Sequence, residues 1–391
     1  MIIAWIPLII AIATNGAIDW AIFYRLRRSG QQGLAITHLV LAIALHVMLI
    51  AALAMPHTSN TSFVMLMWAL FIFFAFYVPK YVGLLISWPS HLLRKWPRVA
   101  RAFHWCGTTV AAVIFGAMWW GALVTPHRIA VEQVTVESPR VPAAFDGYRI
   151  VQFSDAHLGT YLNDTTAASA WVDSINALKP DVIMFTGDLV SRITSEAAPF
   201  ETVLRRLHAP DGVYSILGNH DYDDYAHLSA EERLADHRAL CELETRMGWK
   251  LLLNSHDWLV RGTDSLLVVG GENYGEGHFI NYCQLDSVSL AAPRDHYTIM
   301  LQHNPRQWRE QVVRGSKLPV DLMLSGHTHA MQIMLKLGNW RFSPSQWVYN
   351  EWGGKYQEGN QTLYVNIGVG MVGVPMRIGA TPEITVITLK R

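Results

Sequence analysis

Four apolar stretches follow one another in the first third of the chain, and each is about as long as a membrane-spanning helix. About 20 apolar residues are needed for a helix to cross the hydrocarbon layer of a bilayer. Buried helices of a large soluble core are the alternative, but a soluble domain rarely places four such runs in succession. The sequence therefore predicts four transmembrane helices, at residues 2–24, 34–55, 63–87 and 103–124.

Basic residues in the short loops predict the orientation of these helices. Lys and Arg are enriched in loops on the cytoplasmic side of membrane proteins. The first and third loops are basic, whereas residues 56–62 contain no Lys or Arg. We therefore expect both basic loops to face the cytoplasm, and the N-terminus and all residues after Val124 to lie outside it. The loop cations are Arg25, Arg27, Arg28, Arg94, Lys95, Arg98 and Arg101.

The texture of the sequence changes after the fourth apolar run. Short β-type stretches alternate with helix-like stretches and are separated by Gly, Asp and Asn, which is typical of an α/β domain. We therefore divide the chain into a membrane region, residues 1–125, and an α/β domain, residues 126–391. The predicted strands are residues 129–136, 148–153, 181–185, 213–217, 265–269, 297–301, 321–324, 362–365 and 383–389.

Polar clusters rich in Asp, Asn and His come directly after five of these strands. In an open α/β sheet the loops beyond the strand ends share one crevice, so such clusters converge there. Each cluster alone also fits an ordinary strand-end turn, because Gly-Asp and Asn are common turn residues. Their joint occurrence favours a site. The clusters are Asp155-Ala156-His157, Gly187-Asp188, Gly218-Asn219-His220-Asp221, Gln302-His303-Asn304 and Gly326-His327-Thr328-His329.

The candidate ligands in these clusters combine oxygen and imidazole nitrogen donors without sulfur. This set suits Mn, Fe or Zn better than Ca or Mg. Two carboxylates, one amide and four imidazoles are more than one tetrahedral ion can use. Two divalent ions about 3.5–4 Å apart, bridged by a carboxylate, would use them all and would attract a phosphate oxygen. We therefore predict two divalent metal ions (Mn, Fe or Zn) as cofactors of a phosphoesterase.

This ordered set of motifs resembles the calcineurin-like metallophosphoesterase family, whose blocks run D-x-H, G-D, G-N-H-D/E, a single His and G-H-x-H. The resemblance covers residues 128–391 and implies two packed mixed β-sheets flanked by helices. Residues 145–159, Pro375-Met376-Arg377 and residues 382–385 resemble the membrane-anchored branch of the family in particular.

The resemblance implies two metal sites that share one bridging carboxylate, supplied by Asp188. His220 would bind no metal but would contact the phosphate and protonate the leaving oxygen, a role that suits the pKa of imidazole. The ligands of one ion would be Asp155, His157 and His329. Those of the other would be Asn219, His303 and His327.

The chain departs from the family pattern beside the last motif. The membrane-anchored branch usually reads G-H-T-H-G-G-Q, whereas this chain has Ala330 and Met331 before Gln332. The change leaves both His residues in place but narrows the backbone freedom beside them. We expect substrate access to differ there.

Residues 340–356 carry six aromatic side chains in a segment rich in Gly, Ser, Pro and Asn, with no obvious helix or strand. Aromatics spaced in this way either fold back over the core or form a partly exposed apolar rim beside the site, facing lipid or substrate. Together with the membrane region, a rim favours a lipid-linked phosphorylated substrate.

The sequence thus favours a membrane-anchored dinuclear-metal phosphoesterase that hydrolyses a phosphate ester or pyrophosphate outside the cytoplasm. Expected partners are the phosphorylated substrate and membrane lipids. Lys plus Arg and Asp plus Glu both number 31, so no overall charge favours nucleic acid. A cytoplasm-facing nucleotide phosphodiesterase is disfavoured by the loop charges, and a catalytically silent metal-bound scaffold by the presence of His220.

Overall fold

The computed structural model describes residues 2–57, 59–93, 95–226, 228–277, 279–284, 295–315, 319–338 and 340–391, with side chains from residue 12 onward. Arg94, one of the loop cations, lies outside this set. The chain separates into two compact units, Met1–Gly116 and Ala117–Arg391.

The N-terminal part of the chain is helical. Three helices, with their short extensions, are long and apolar enough to cross a membrane, at Gln32–Ala54, Asn60–His91 and Pro97–His127. The structure therefore supports three candidate spans in its described residues, where the sequence predicts four. The helices are α1 (Ile2–Arg28), α2 (Gln32–Ala54), α3 (Asn60–Ser87) and α4 (Pro97–Leu123).

One carboxylate connects the first three helices. Asp19 of α1 is buried, and it accepts hydrogen bonds from the Tyr77 hydroxyl at 2.6 Å and the Lys80 ammonium at 2.5 Å, both on α3. His38 Nε2 of α2 lies 3.3 Å from the same carboxylate. A charged group among apolar helices is costly unless it is paired, so these contacts fix how α1, α2 and α3 pack together.

The described residues of the second unit contain the strands and three shorter α-helices. The helices are α5 (Thr166–Ala177), α6 (Glu201–Leu204) and α7 (Ala230–Arg246). The strands are β1 (Ala130–Glu137), β2 (Arg149–Phe153), β3 (Val182–Phe185), β4 (Val213–Ser215), β5 (Lys250–Leu251), β6 (Ser255–Arg261), β7 (Asp264–Gly270), β8 (Tyr297–Leu301), β9 (Leu322–Ser325), β10 (Leu335–Leu337), β11 (Trp340–Phe342), β12 (Gly354–Glu358), β13 (Gln361–Val365) and β14 (Glu383–Lys390).

These strands form two six-stranded mixed sheets and a small hairpin. The order is β1-β14-β2-β3-β4-β5 in the first sheet and β12-β13-β9-β8-β7-β6 in the second. Strands β2 to β5 run parallel, as do β7, β8, β9 and β13, whereas β6 and β12 are antiparallel edge strands. The fold is therefore α/β with mixed sheets, as predicted.

Alternating side chains divide the core into layers. Ile150 of β2 packs with apolar residues of the second sheet, such as Ile299, whereas its neighbour Val151 faces the opposite side, towards Trp171 of α5. The outer face of the second sheet, including Met300, is covered by a π-helical turn at Trp308–Val312. Because strand side chains point alternately to the two faces, both sheets bury apolar residues on each side.

Each strand predicted from the sequence is present, with ends shifted by at most two residues. The prediction that residues 340–356 lack regular structure is wrong, because they contain β11 and the start of β12. Among the described strands β11 pairs with β10 alone, in a short, largely exposed hairpin, so no run of apolar residues marks it. β6 was also not predicted, since among its seven residues Leu259 alone is fully buried.

Candidate metal centre

The predicted site residues lie in loops at the carboxyl ends of β2, β3, β4, β8 and β9, and the two sheets bring these loops together. The backbone N–H of His327, after β9, donates to both carboxylate oxygens of Asp155, after β2, at 3.1 and 3.0 Å. His303 Nε2, after β8, lies 3.1 Å from Asp188 Oδ2, after β3. Parallel strands of two packed sheets thus end at one shared cleft.

Asp155, His157 and His329 form the first donor cluster. His157 Nε2 and His329 Nε2 are 3.0 Å apart, and Asp155 Oδ1 is 3.1 Å from His329 Nε2. All three side chains are buried, and their donor atoms lie within 4.8 Å of one another. This group could hold one metal ion.

Asp188, His303 and His327 form a second cluster with donor atoms within the same 4.8 Å limit. His303 Nε2 lies 3.1 Å from Asp188 Oδ2 and 3.2 Å from His327 Nδ1. Asn219 lines the cleft beside His327, and its buried Oδ1 has no hydrogen-bond partner among the described residues. An orphaned amide oxygen of this kind fits a fourth donor.

Asp188 faces both clusters with one oxygen. Its Oδ2 lies 3.5 Å from His157 Nε2 and 3.1 Å from His303 Nε2, while its Oδ1 accepts the backbone N–H of His220 at 2.9 Å. The hydrogen bond to Oδ1 orients the carboxylate, so that Oδ2 points between the two groups of imidazoles.

The donor set fits a cation because lone pairs face one another across short distances. His303 Nδ1 donates to the Thr186 carbonyl at 2.8 Å, so Nε2 of the neutral ring is an acceptor. That acceptor faces the Asp188 carboxylate and His327 Nδ1. Acceptors this close repel unless a proton or a metal ion lies between them, and imidazole and carboxylate are ligands of divalent metals.

The pKa values of the buried site residues also fit a bound cation. Burial lowers the pKa of His157, and that of His327 to about 3, which leaves both rings neutral with lone pairs free to bind metal. Burial disfavours the charged form of Asp188, but the neighbouring His303 holds the Asp188 pKa well below its usual range. Burial likewise disfavours protonated His303, yet Asp188 raises its pKa to about 9. The carboxylate thus attracts positive charge to the position that a metal ion would take.

His220 lies beside both clusters. Its Nδ1–H donates to the Ser191 carbonyl at 2.7 Å, and its ring stands edge-on to His157 with centroids 4.7 Å apart. A ring nitrogen of His220 also lies within 4.8 Å of the donor atoms of His157 and Asp188. His220 is therefore close enough to contact a metal ion as well as a substrate.

Several predicted ligands have left-handed backbones, which non-glycine residues rarely adopt. The φ angles are 53° at Asp155, 44° at His157, 59° at Asp188, 77° at His327 and 48° at His329. Backbone strain of this kind is concentrated at functional sites. Here the left-handed conformation directs the ligand side chains into the cleft.

The left-handed backbone continues past the last motif. Ala330 and Met331 have φ angles of 51° and 45°. These are the two positions where the resembling branch has glycines, which adopt this conformation without strain. This chain therefore adopts a left-handed backbone at two non-glycine positions, which costs local strain, and it exposes part of the Met331 side chain beside the site.

The sequence analysis assigns no role to several other residues of the site. The Asp221 carboxylate accepts backbone N–H groups of Asp188, Leu189, Val190 and Gly218, and so joins the loops after β3 and β4. Its place inside Gly218-Asn219-His220-Asp221 was the available signal.

Arg377 is completely buried behind the first cluster. Its Nη2 lies 3.0 Å from His329 Nδ1, and its guanidinium donates to the carbonyls of Ile367, Gly370 and Ala380. Burial lowers the pKa of Arg377 to about 10, so the group remains charged at neutral pH. Only the Pro375-Met376-Arg377 ending hinted at this position.

Two tyrosines border the second cluster. The Tyr225 hydroxyl accepts a hydrogen bond from Asn219 Nδ2 at 3.1 Å, and the Tyr349 hydroxyl lies 2.9 Å from His327 Nε2. Both line a cavity of about 480 Å³ that opens over Asn219 and His327. Tyr349 belongs to the aromatic segment for which the sequence left both a core and a rim position open, whereas nothing in the sequence marked Tyr225.

Comparison with known proteins identifies the family. Residues 148–331 match the family model for calcineurin-like phosphoesterases. The uncharacterized metallophosphoesterase YkuE of Bacillus subtilis (strain 168) is 34% identical over 301 residues, which cover 71% of this chain and 95% of that protein. The transmembrane protein with metallophosphoesterase domain of Danio rerio is 30% identical over 297 residues, and these cover 72% of this chain but 63% of the fish protein.

A third relative has a named substrate. The UDP-2,3-diacylglucosamine pyrophosphatase LpxG of Chlamydia trachomatis is 25% identical over 305 residues, which cover 67% of this chain and 90% of that protein. The motifs, the converging donor clusters and these relatives agree. The chain belongs to the calcineurin-like phosphoesterase family and is a metal-dependent phosphoester hydrolase.

Proposed function

We propose that this chain is a membrane-anchored, two-metal phosphoesterase that hydrolyses a phosphate ester or a pyrophosphate outside the cytoplasm. The observation that carries the proposal is the position of Asp188 Oδ2, 3.5 Å from His157 Nε2 and 3.1 Å from His303 Nε2. One carboxylate between two donor clusters could contact a divalent ion on each side, as a two-metal site needs ions about 3.5–4 Å apart. Residues 1–125, with four spans, would be the anchor, and residues 126–391 the catalytic domain.

Each cluster would hold one ion, Mn, Fe or Zn, and Asp188 would contact both. When bound, two divalent ions supply the positive charge that attracts a phosphate and lower the pKa of water to near neutrality. The ligands of one ion would be Asp155, His157 and His329. Those of the other would be Asn219, His303 and His327.

His220 would act on the leaving group. Its Nδ1–H bond to the Ser191 carbonyl fixes the ring, so Nε2 is the nitrogen left to hold a proton towards the cleft. Burial lowers the pKa of His220, and an anionic phosphate beside the ring would favour the charged form again. The residue could then give its proton to the oxygen on which the bond breaks.

The first prediction separates metal binding from proton transfer. Asp188→Asn should lose bound metal and activity together, because the bridging charge is removed from both ions. His220→Ala should keep most of its bound metal but lower turnover by about 10² to 10⁴. Elemental analysis and kinetics of the purified full-length variants measure both effects.

Equal metal loss in the two variants would show that His220 is a ligand and would contradict its assigned role. Full metal content without hydrolysis of any monoester, diester or pyrophosphate by the unmodified protein would instead favour the silent scaffold.

We further propose that the substrate of this phosphoesterase is linked to a lipid. One relative is named for a diacylated sugar pyrophosphate, and the segment after His329 exposes large apolar side chains. Leu337, Trp340 and Trp347 are 73%, 54% and 75% exposed, whereas Trp352 is 7% exposed and packs in the core. The aromatic segment is therefore divided between core and surface, and its exposed part is available to an acyl or prenyl chain.

The second prediction follows from that exposed part. Each methylene removed from water contributes about 0.8 kcal/mol, so kcat/KM should rise with chain length across a series of phosphorylated lipids. The double variant Trp340→Ala/Trp347→Ala should flatten this rise but leave hydrolysis of a small chromogenic phosphate ester unchanged. A flat profile in the unmodified protein would argue against a lipid substrate.

The third prediction concerns topology and rests on the Lys and Arg residues of the first and third loops. A periplasmic phosphatase reporter fused after Arg391 should be active, and a fluorescent protein that matures only in the cytoplasm should stay dark. The reverse pattern would place the catalytic domain in the cytoplasm and favour a nucleotide phosphodiesterase.

A further inference from the structure

The cleft side of the second cluster carries two tyrosine hydroxyls, each in contact with a proposed ligand. Asn219 Nδ2 donates to the Tyr225 hydroxyl at 3.1 Å, and His327 Nε2 lies 2.9 Å from the Tyr349 hydroxyl. Both tyrosines line the same 480 Å³ cavity as the two ligands. The contacts are therefore made where a substrate would enter.

Each contact determines which atom of the ligand faces the centre. An amide that donates through Nδ2 points Oδ1 the other way, and Oδ1 of Asn219 is the buried atom without a hydrogen-bond partner in the described part of the chain. His327 Nδ1 faces His303 Nε2 at 3.2 Å. When Nδ1 binds a cation, the neutral ring carries its proton on Nε2 and donates it to Tyr349. Each tyrosine thus orients one ligand through its outer atom.

A hydroxyl that accepts in this way still has its own proton to donate. Within the described residues, the Tyr225 hydroxyl has one hydrogen-bond partner, Asn219, and the Tyr349 hydroxyl has one, His327. Both O–H groups are therefore available to an anionic oxygen in the cavity, next to the position of the second ion.

Packing holds both rings in place. The Tyr225 ring stacks on the His220 ring, with centroids 4.0 Å apart and planes at 9° to each other. The Phe279 ring also packs against Tyr225, with centroids 5.7 Å apart. The Arg306 guanidinium lies over the Tyr349 ring at 5.4 Å and is itself held by Glu276 at 2.9 Å. Because both side chains are already held in place, they lose little conformational freedom when a substrate binds, and the entropic cost of binding is lower.

We propose that Tyr225 and Tyr349 are a pair of positioning residues: they orient Asn219 and His327 towards the second ion and donate hydrogen bonds to a phosphate oxygen of the substrate. This rests on the proposed two-metal function, and it adds specificity for a tetrahedral oxyanion that reaches both hydroxyls. The ligands of the first ion have no contact with either hydroxyl among the described residues.

The fourth prediction uses Tyr225→Phe and Tyr349→Phe in the full-length protein, since Phe keeps each ring and removes one hydroxyl. Titration of metal-free protein with Mn²⁺ should show one of two binding steps weakened about tenfold, the same step in both variants, with the other step unchanged. Calorimetry with inorganic phosphate on metal-saturated protein should show an affinity at least tenfold lower in the double variant.

Tyr222→Phe is the matched control. It removes a hydroxyl from the same loop, but that hydroxyl donates to Glu272 at 3.0 Å and contacts no proposed ligand. Its metal and phosphate affinities should equal those of the unmodified protein.

Unchanged Mn²⁺ affinities in both single variants would overturn the positioning role. Weakened metal binding with unchanged phosphate affinity in the double variant would overturn the donor role. If the unmodified protein bound metal but hydrolysed nothing, the proposed function would fail, while the metal titrations would still test the tyrosines.

Discussion

The catalytic unit depends on the interaction between the Asp188 carboxylate and the buried imidazoles around it. A buried carboxylate costs several kcal/mol unless it is paired. Here the pairing groups come from different sheets, His157 from the first and His303 from the second, at 3.5 and 3.1 Å. Asp188 raises the pKa of His303 to about 9, so a proton on His303 balances this charge in the absence of metal. A metal ion bound in place of that proton would contact residues from both sheets and so hold their loops together.

Hydrogen bonds and close packing between the loops around Asp188 hold this carboxylate in position. Asp221 accepts the N–H groups of Asp188 and Gly218, which ties the loop after β3 to the loop after β4. A side chain at Gly218 would collide with the Asp188 carboxylate, so the close approach of the two loops requires glycine at this position. The left-handed backbone of several ligands adds strain, and the shared hydrogen bonds and bound metal would offset its cost.

Much of this arrangement could be predicted from the sequence, because it repeats one local pattern. An apolar strand followed by a polar cluster, as at 181–188 or 321–329, marks both the strand and the residues at its carboxyl end. The edge strands β5, β6 and β12 and the hairpin of β10 and β11 were not predicted, since they bury few side chains and therefore show no apolar run. The structure supports three of the four predicted spans.

The residues that sequence reasoning missed act through contacts that form only after folding. Tyr225 and Tyr349 lie far apart in the chain but line the same cavity. A tyrosine in a loop belongs to no periodic pattern, so the sequence does not indicate which residue its hydroxyl contacts. The aromatic segment shows the same limit, since Trp347 is exposed while Trp352, five residues later, is buried. Burial in such a segment is decided by the β10–β11 hairpin and by the packing of Ala330 and Ile367, not by spacing.

The central claim is that two metal ions share Asp188, and anomalous diffraction from crystals of the full-length protein grown with Mn²⁺ tests it most directly. We predict two anomalous peaks about 3.5–4 Å apart. One should lie beside His157 and His329, the other beside His303 and His327, and the Asp188 carboxylate should contact both. A single peak, or two peaks of which Asp188 touches only one, would contradict this account.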